Sequence, residues 1–335
     1  MEHSARIYIA GHTGLVGSAL VRYLQAHGYT QIITVTLGEC DLRDQRAVHD
    51  LFEKIQPEYL IIAAAKVGGI GANMRFPADF IYDNLMIATN LIHAAQVFGV
   101  KKTLILGSSC IYPRLADQPI SESSLLAGPL EETNKPYAVA KISSIVLAQA
   151  YVRQYGSRMI CAMPTNLYGP GDNFDLQQAH VIPALIAKIA QAHKNKSDTL
   201  VVGGSGRALR EFLYVDDCAQ ALIHLMNCYE SPEIINIGSG YEVTIAELVG
   251  LIVDRIGYQG RLVWDTQFPD GTPRKKLDTH KMDDLGWSAR TDLAQGLDTT
   301  IGWYYAHYIH EKNSLAIAGS TRNTHRVSGG NFTGI

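Results

Sequence analysis

Arg6-Ile-Tyr-Ile-Ala-Gly-His-Thr-Gly-Leu-Val-Gly17 sets the architecture of the chain. Residues 6–10 form a short apolar run of strand length, and residues 15–27 carry the periodicity of a helix. Between them Gly11, Gly14 and Gly17 stand at G-x-x-G-x-x-G spacing. Glycines at such positions permit a tight turn and let the backbone approach a pyrophosphate, which the N–H groups of the helix start then stabilise. Gly11, His12, Thr13, Gly14, Leu15, Val16 and Gly17 are therefore the candidate cofactor-phosphate loop. The competing reading is a plain strand-to-helix turn.

The same alternation continues. Residues 32–36 and 59–63 read as strands around a helical stretch at 48–55. A long helical pattern at 77–98 leads to a strand at 103–107, and a helix at 137–155 leads to a strand at 158–163. Repeated strand–helix units of this length imply a parallel sheet covered on both faces. The expected fold class is α/β, a Rossmann-type doubly wound sheet with a smaller α/β substrate lobe. The dinucleotide-binding domain is expected over 1–166 with a return segment near 215–240, and the substrate lobe over 167–315. That lobe opens with the turn Gly169-Pro-Gly171, an amphipathic helix at 179–193 and a strand at 199–202. Further on, Thr244-Ile-Ala-Glu247 is a capping box. Residues 316–335, rich in Ser, Thr, Gly and Asn, are expected to form a mobile tail.

Composition narrows the class. A chain of 335 residues with 47% hydrophobic and 18% charged residues matches an ordinary soluble enzyme. A net charge of −3 argues against nucleic acid as the main partner. No apolar run approaches the roughly 18–20 residues that span a bilayer, and the first residues lack a secretory pattern. Cysteines 40, 110, 161, 218 and 228 are odd in number and show no Cys-x-x-Cys spacing, which speaks against a disulfide framework or a metal site. A cytoplasmic location is expected.

Tyr137 and Lys141 sit four apart on one helix face. An ammonium beside a phenol that ordinarily titrates near ~10 favours the phenolate, giving a proton donor or acceptor usable at neutral pH. Ser108, Ser109 and Cys110 lie just beyond the C-terminal end of a strand, where parallel sheets place their ligands. A serine hydroxyl there can hydrogen-bond a substrate carbonyl. Cys110 is either an inert buried thiol or a base, and the second role needs a cationic or dipolar neighbour. His180 opens the amphipathic helix, and a lone histidine there is more often structural. Asp41 follows the second strand and either binds the adenine amino group or caps a helix. NAD sites carry an acid about 20 residues beyond the glycines and NADP sites a nearby Arg. The positions here hold Leu37, Gly38 and Glu39, with Arg43 the closest base, so both cofactor forms stay open on this logic.

Six strings combine with these motifs: Ala63-Ala-Ala-Lys-Val-Gly-Gly69, Gly107-Ser-Ser-Cys-Ile-Tyr-Pro113, Pro164-Thr-Asn-Leu-Tyr-Gly-Pro170, His180-Val-Ile-Pro-Ala-Leu185, Arg210-Glu-Phe-Leu-Tyr-Val-Asp-Asp217 and Pro269-Asp-Gly-Thr-Pro-Arg-Lys275. Over residues 6–305 the chain resembles the GDP-L-fucose synthases, which are extended short-chain dehydrogenases/reductases. The resemblance implies 3,5-epimerisation of a GDP-linked 4-keto-6-deoxy sugar, then reduction at C4 with NADP(H). It implies Cys110 as base and His180 as acid in the epimerisation. It implies that Tyr137 protonates the C4 alkoxide, that Lys141 lowers the Tyr pKa and holds the nicotinamide ribose, and that Ser108 orients the carbonyl. The implied cofactor contacts are the glycine loop, Asp41, Leu106, Gly107, Ser108, Tyr137, Lys141, Pro164, Thr165, Asn166, Leu167 and His180. The implied substrate contacts are Ser109, Asn166, Lys188, Arg210, Asp270 and Lys275, with Lys188 two turns beyond His180 and so expected on a similar helix face.

Two positions depart from the family pattern. Thr13 and Leu37 stand where the family often has arginines that contact the 2′-phosphate, so NADPH is expected on family grounds only. Gly203 stands where the family often has Trp, which keeps a related GDP-4-keto deoxy or heptose sugar as the alternative substrate. Rival readings are a nucleotide-sugar 4-reductase or 4-epimerase without 3,5-inversion, and a cofactor-sensing regulator that has lost catalysis. The resemblance also implies a homodimer in which the helices at 77–98 and 137–155 of two subunits form a four-helix bundle.

Overall fold

The computed structural model describes residues 1–268 and 270–309, so the expected tail at 316–335 lies outside the described residues. The first units are β1 (Ile7–Ala10), α1 (Leu15–Ala26), β2 (Ile32–Ile33), α2 (Gln45–Ile55) and β3 (Tyr59–Ile62). They continue with α3 (Ile70–Arg75), α4 (Pro77–Val97), β4 (Lys102–Leu106), α5 (Lys135–Tyr155) and β5 (Met159–Pro164). Next come β6 (Asn166–Tyr168), α6 (Val181–Lys194), β7 (Thr199–Gly203), β8 (Leu209–Tyr214), α7 (Val215–Cys228) and β9 (Ile234–Ile237). The last elements are β10 (Glu242–Thr244), α8 (Ile245–Ile256), β11 (Arg261–Asp265), β12 (Arg274–Lys275), α9 (His280–Asp284) and α10 (Leu293–Trp303). None of the described helices is long and apolar enough to cross a membrane.

A six-stranded sheet in the order β2-β1-β3-β4-β5-β9 forms the centre, and every pairing in it is parallel. The strand runs are apolar almost throughout because both faces are covered. Successive residues serve opposite sides: Tyr8 faces one core with Leu60 and Ile62, while Ile7, Ile9 and Ile61 face the other. Phe52 of α2, Leu91 of α4 and Ile145 of α5 close the first side; Leu20 of α1 and Leu222 of α7 close the second. Each such fully buried aliphatic side chain stabilises the fold by about 1.5–3 kcal/mol before conformational entropy is counted.

A third core gathers Ile186 and Ile189 of α6, Leu248 and Ile252 of α8, Phe212 of β8 and Leu297 of α10. It is served by two small sheets, β10-β8-β12 with β6 on β8, and β11-β7. The segment 215–237 returns α7 and β9 to the main sheet, and Met282 and Trp287 also pack against that sheet's second core.

Local chemistry moves several boundaries. The second strand stops at Ile33 rather than 36, because the Glu39 carboxylate accepts from both the N–H and the hydroxyl of Thr36 and turns the chain away from β1. Helix α6 begins at Val181, with Pro183 in its first turn and His180 extended ahead of it at φ −72°, ψ 174°. The capping box at Thr244 and Glu247 is formed, each residue satisfying the other's backbone N–H.

Candidate active site

The chain leaves β1 for β2 at one edge and then crosses back over β1 to reach β3. That reversal opens a crevice at the C-terminal ends of the strands, where α/β sheets bind ligands. The loops after β1, β2, β3, β4 and β5 meet there around a cleft of about 1030 Å³.

The glycine loop forms the floor of one end. Gly11 has φ +89°, and a Cβ there would lie 2.6 Å from the Ala64 backbone. A Cβ on Gly17 would lie 2.1 Å from the Gly11 carbonyl oxygen. Gly14 is the N-cap of α1, supplies no side-chain cap, and no acidic residue follows in the first turn. The first N–H groups of the helix are thus available to an anion. His12 Nδ1 is buried here without a partner among the described residues. These features fit the pyrophosphate of a dinucleotide.

Beyond β2, the two readings of Asp41 separate. The cap of α2 is Asp44, which accepts from Arg46 N and Ala47 N, so Asp41 is not the cap. Asp41 instead pairs with Arg43 at 2.7 Å, and Arg43 reaches Asp83 at 3.2 Å. Lys66 joins the group, 3.0 Å from both Asp79 and Asp83. This network was not readable from the sequence, because Asp83 lies 40 residues from Arg43.

Ser108 caps the short 3-10 turn Ser109–Ile111 that follows β4, its Oγ accepting from Cys110 N. The turn buries Ser109 and Cys110 at the cleft wall. From α5, Lys141 Nζ donates to the Leu106 carbonyl at 2.7 Å and stands 5.8 Å from the centre of the Tyr137 ring. Burial draws the Lys141 ammonium down to about 8.

Tyr137 departs from expectation. Burial, then the nearby Cys110, pushes its phenol well above the ordinary range, and a hydrogen bond with Ser108 opposes them. Lys141 donates its Nζ to the Leu106 carbonyl at the end of β4 rather than to the phenol. Tyr137 therefore keeps its proton until something more basic takes it.

His180 makes no cap bond to α6, so its ring is left to the cleft. Protein surrounding the ring lowers its pKa, and the charge on Lys275 lowers it further. Its position is fixed from outside: Gly69 N donates to the Gln178 carbonyl at 2.9 Å, and a Cβ on Gly69 would sit 2.6 Å from the Ala179 oxygen. Asn73 of α3 pins that glycine turn by donating to the carbonyls of Gly68 and Gly69.

The remaining candidates come from three segments. Leu106, Gly107, Pro164, Thr165, Asn166 and Leu167 line the cleft at the ends of β4 and β5, and Asn166 is held by donating to the Glu211 carbonyl at 2.8 Å. Arg210 and Lys275 stand side by side in the β8–β12 register and both line the cleft. Asp270 lines it too, its carboxylate latching Ser205 N and Oγ at 2.6 Å each. Lys188 is the exception: it is exposed and outside the lining. Because α6 starts after His180 and turns Ile182, Leu185, Ile186 and Ile189 into the third core, Lys188 falls on the opposite, solvent face. Beside Gly203 the space is taken by Phe268, whose Cβ and ring lie 3.3 Å from where a Cβ would be.

Asp172 was not singled out from the sequence. It lies in the turn after Gly169-Pro-Gly171, lines the cleft and is 8% exposed. Its Oδ1 accepts from Asn173 N while Oδ2 has no partner among the described residues, and burial pushes the carboxyl up to about 7.

Fold and site together define a dinucleotide-binding oxidoreductase of the short-chain dehydrogenase/reductase build. Residues 7–238 match the model of the NAD dependent epimerase/dehydratase family. GDP-L-fucose synthase 1 of Arabidopsis thaliana is 52% identical over 303 residues, covering 90% of this chain and 94% of the relative. GDP-L-fucose synthase of Escherichia coli (strain K12) is 49% identical over 308 residues, covering 89% and 96%. The structure of a GDP-L-fucose synthetase from Naegleria fowleri bound to NADP superposes with a TM-score of 0.86 at 33% identity, covering 92% of this chain and 95% of that one. The chain belongs to the NAD dependent epimerase/dehydratase family and, within it, to the group of the GDP-L-fucose synthases.

Proposed function

We propose that this protein converts GDP-4-keto-6-deoxy-D-mannose to GDP-L-fucose, by epimerisation at C3 and C5 followed by NADPH-dependent reduction at C4. One observation carries the reading: Ser108, Cys110, Tyr137, Lys141 and His180, drawn from three separate segments, line the same cleft. A reductase alone has no use for the thiol and the imidazole.

The C4 ketone acidifies the hydrogens on its neighbouring carbons. Cys110 removes such a proton and His180 delivers one to the opposite face, inverting the centre. Ser108 and Tyr137 hold the ketone oxygen while charge accumulates on it. NADPH, when bound, supplies the hydride to C4. Tyr137, kept protonated by its burial, then gives its proton to the new alkoxide, which is far more basic than a phenolate. Lys141, anchored on the Leu106 carbonyl, would hold the nicotinamide ribose, and its positive charge favours the phenolate that the transfer leaves on Tyr137.

The glycine loop Gly11–Gly17 would hold the cofactor diphosphate, Asp41 the adenine, and Leu106, Gly107 and Pro164–Leu167 the remainder. Ser109, Asn166, Arg210 and Asp270 serve the GDP-sugar. We read the chain as a dinucleotide-binding part up to about 166, joined again by 215–240, and a substrate lobe built on the third core. As a partner we propose a second copy of the chain, apposed through α4 and α5; Tyr82, Val97, Val146 and Tyr155 supply exposed apolar surface on these helices. A cytoplasmic location fits a chain of this composition. Running the reaction in heavy water tests the epimerase half: deuterium is expected at C3 and C5, and its absence there would leave only a C4 reductase.

A further inference from the structure

Cys110 has to act as a thiolate, and its surroundings oppose that, since burial raises its pKa. Four contacts work the other way: Lys275 most strongly, then the Ser108 hydroxyl, then Lys141, then a backbone hydrogen bond at Cys110 itself. Lys141 is already committed to the Leu106 carbonyl. Lys275 is different in kind. It comes from β12, more than 160 residues further along the chain, and its pairing with β8 sets it beside Arg210 at the cleft. Partly buried in the cleft wall, its ammonium has no hydrogen bond or ion pair among the described residues. The charges acting on it are Cys110 first, then Arg210, then Glu131. It also acts on His180.

We propose that Lys275 is the cation that makes Cys110 a base, its ammonium stabilising the thiolate across the shared cleft rather than gripping the substrate diphosphate. The inference rests on the epimerase reading above. In the step it serves, a C–H bond at C3 or C5 breaks, the proton passes to Cys110 sulfur, and the electron pair moves onto the C4 oxygen. His180 then protonates the carbon from the other face. Lys275 disfavours the imidazolium, so His180 holds its proton loosely and releases it readily once charged. Lys275 works through Cys110, and is a positioning residue.

The test is the pH profile of Cys110 alkylation by iodoacetamide in the full chain, followed by peptide mass spectrometry so that the exposed Cys228 is counted apart. In Lys275→Met the midpoint is expected to rise by about one pH unit, which slows alkylation about tenfold at a fixed pH below it. Lys275→Arg should keep the midpoint near its original value. In parallel, the turnover number for deuterium uptake should fall about tenfold in Lys275→Met with a much smaller change in KM. An unmoved alkylation midpoint with a raised KM would overturn the proposal and make Lys275 a diphosphate contact. No deuterium uptake by the unaltered protein would instead refute the epimerase reading itself.

Discussion

Tyr137 shows how a single residue's burial can outweigh its nearest charge. Four-residue spacing placed it correctly beside Lys141, but not the consequence, because neither burial nor the Leu106 carbonyl that occupies the ammonium can be read from the spacing. The proton stays on the phenol, which suits a donor. Tyr137→Phe should lower NADPH oxidation by about 10²–10⁴-fold while deuterium uptake into the substrate continues, as followed by absorbance and NMR on the same sample. Asp172 gives a second prediction at this scale. An acid whose folded pKa is raised binds its proton more tightly when folded, so stability is lost as pH rises from about 4, where the unfolded chain ionises, through about 7. Asp172→Asn removes that loss and keeps an acceptor for Asn173 N. Thermal melts of the ligand-free protein should show the variant gaining about 1–3 kcal/mol over the parent at pH 8 and much less at pH 4.

At the scale of elements, the strand–loop–helix of residues 7–26 was fully legible, since glycine spacing and apolar periodicity report backbone geometry directly. Gly17→Ala would drive a methyl into the Gly11 carbonyl at 2.1 Å, where only backbone can yield. Titration by protein fluorescence should show NADPH affinity lost at least tenfold, with stability lowered by about 1–3 kcal/mol. Boundaries set by side chains reaching back to the main chain were not legible. Glu39 cut β2 short by accepting from Thr36. Lys188 lies away from the cleft because α6 turns its apolar face into the third core. The capping box is the counterexample, because both partners lie within one turn; Thr244→Ala should cost about 1 kcal/mol in urea unfolding.

For the whole molecule, the cleft is assembled from segments far apart in sequence. Periodicity predicts the sheet but not which loops converge, so the Arg43–Asp83–Lys66 network, Asp172 and the Gly69–Ala179 contact that sets His180 came only from the folded chain. The residues proposed for the chemistry, which the structure places along one cleft, are singled out in the sequence mainly through the strings they sit in. The proposed dimer is tested at this scale. Val146 on α5 is 49% exposed and Val97 on α4 54% exposed, so a charged pair in their place, Val97→Glu with Val146→Glu, should convert a dimer to a monomer in sedimentation without unfolding it. Only monomer from the unaltered chain would contradict the α4–α5 assembly. The most direct measurement follows NADPH oxidation with GDP-4-keto-6-deoxy-D-mannose and reads the product's stereochemistry by NMR. GDP-L-fucose, inverted at C3 and C5 and reduced at C4, is the predicted product. A C4-reduced sugar with both neighbouring centres unchanged would contradict the role of Cys110 and His180.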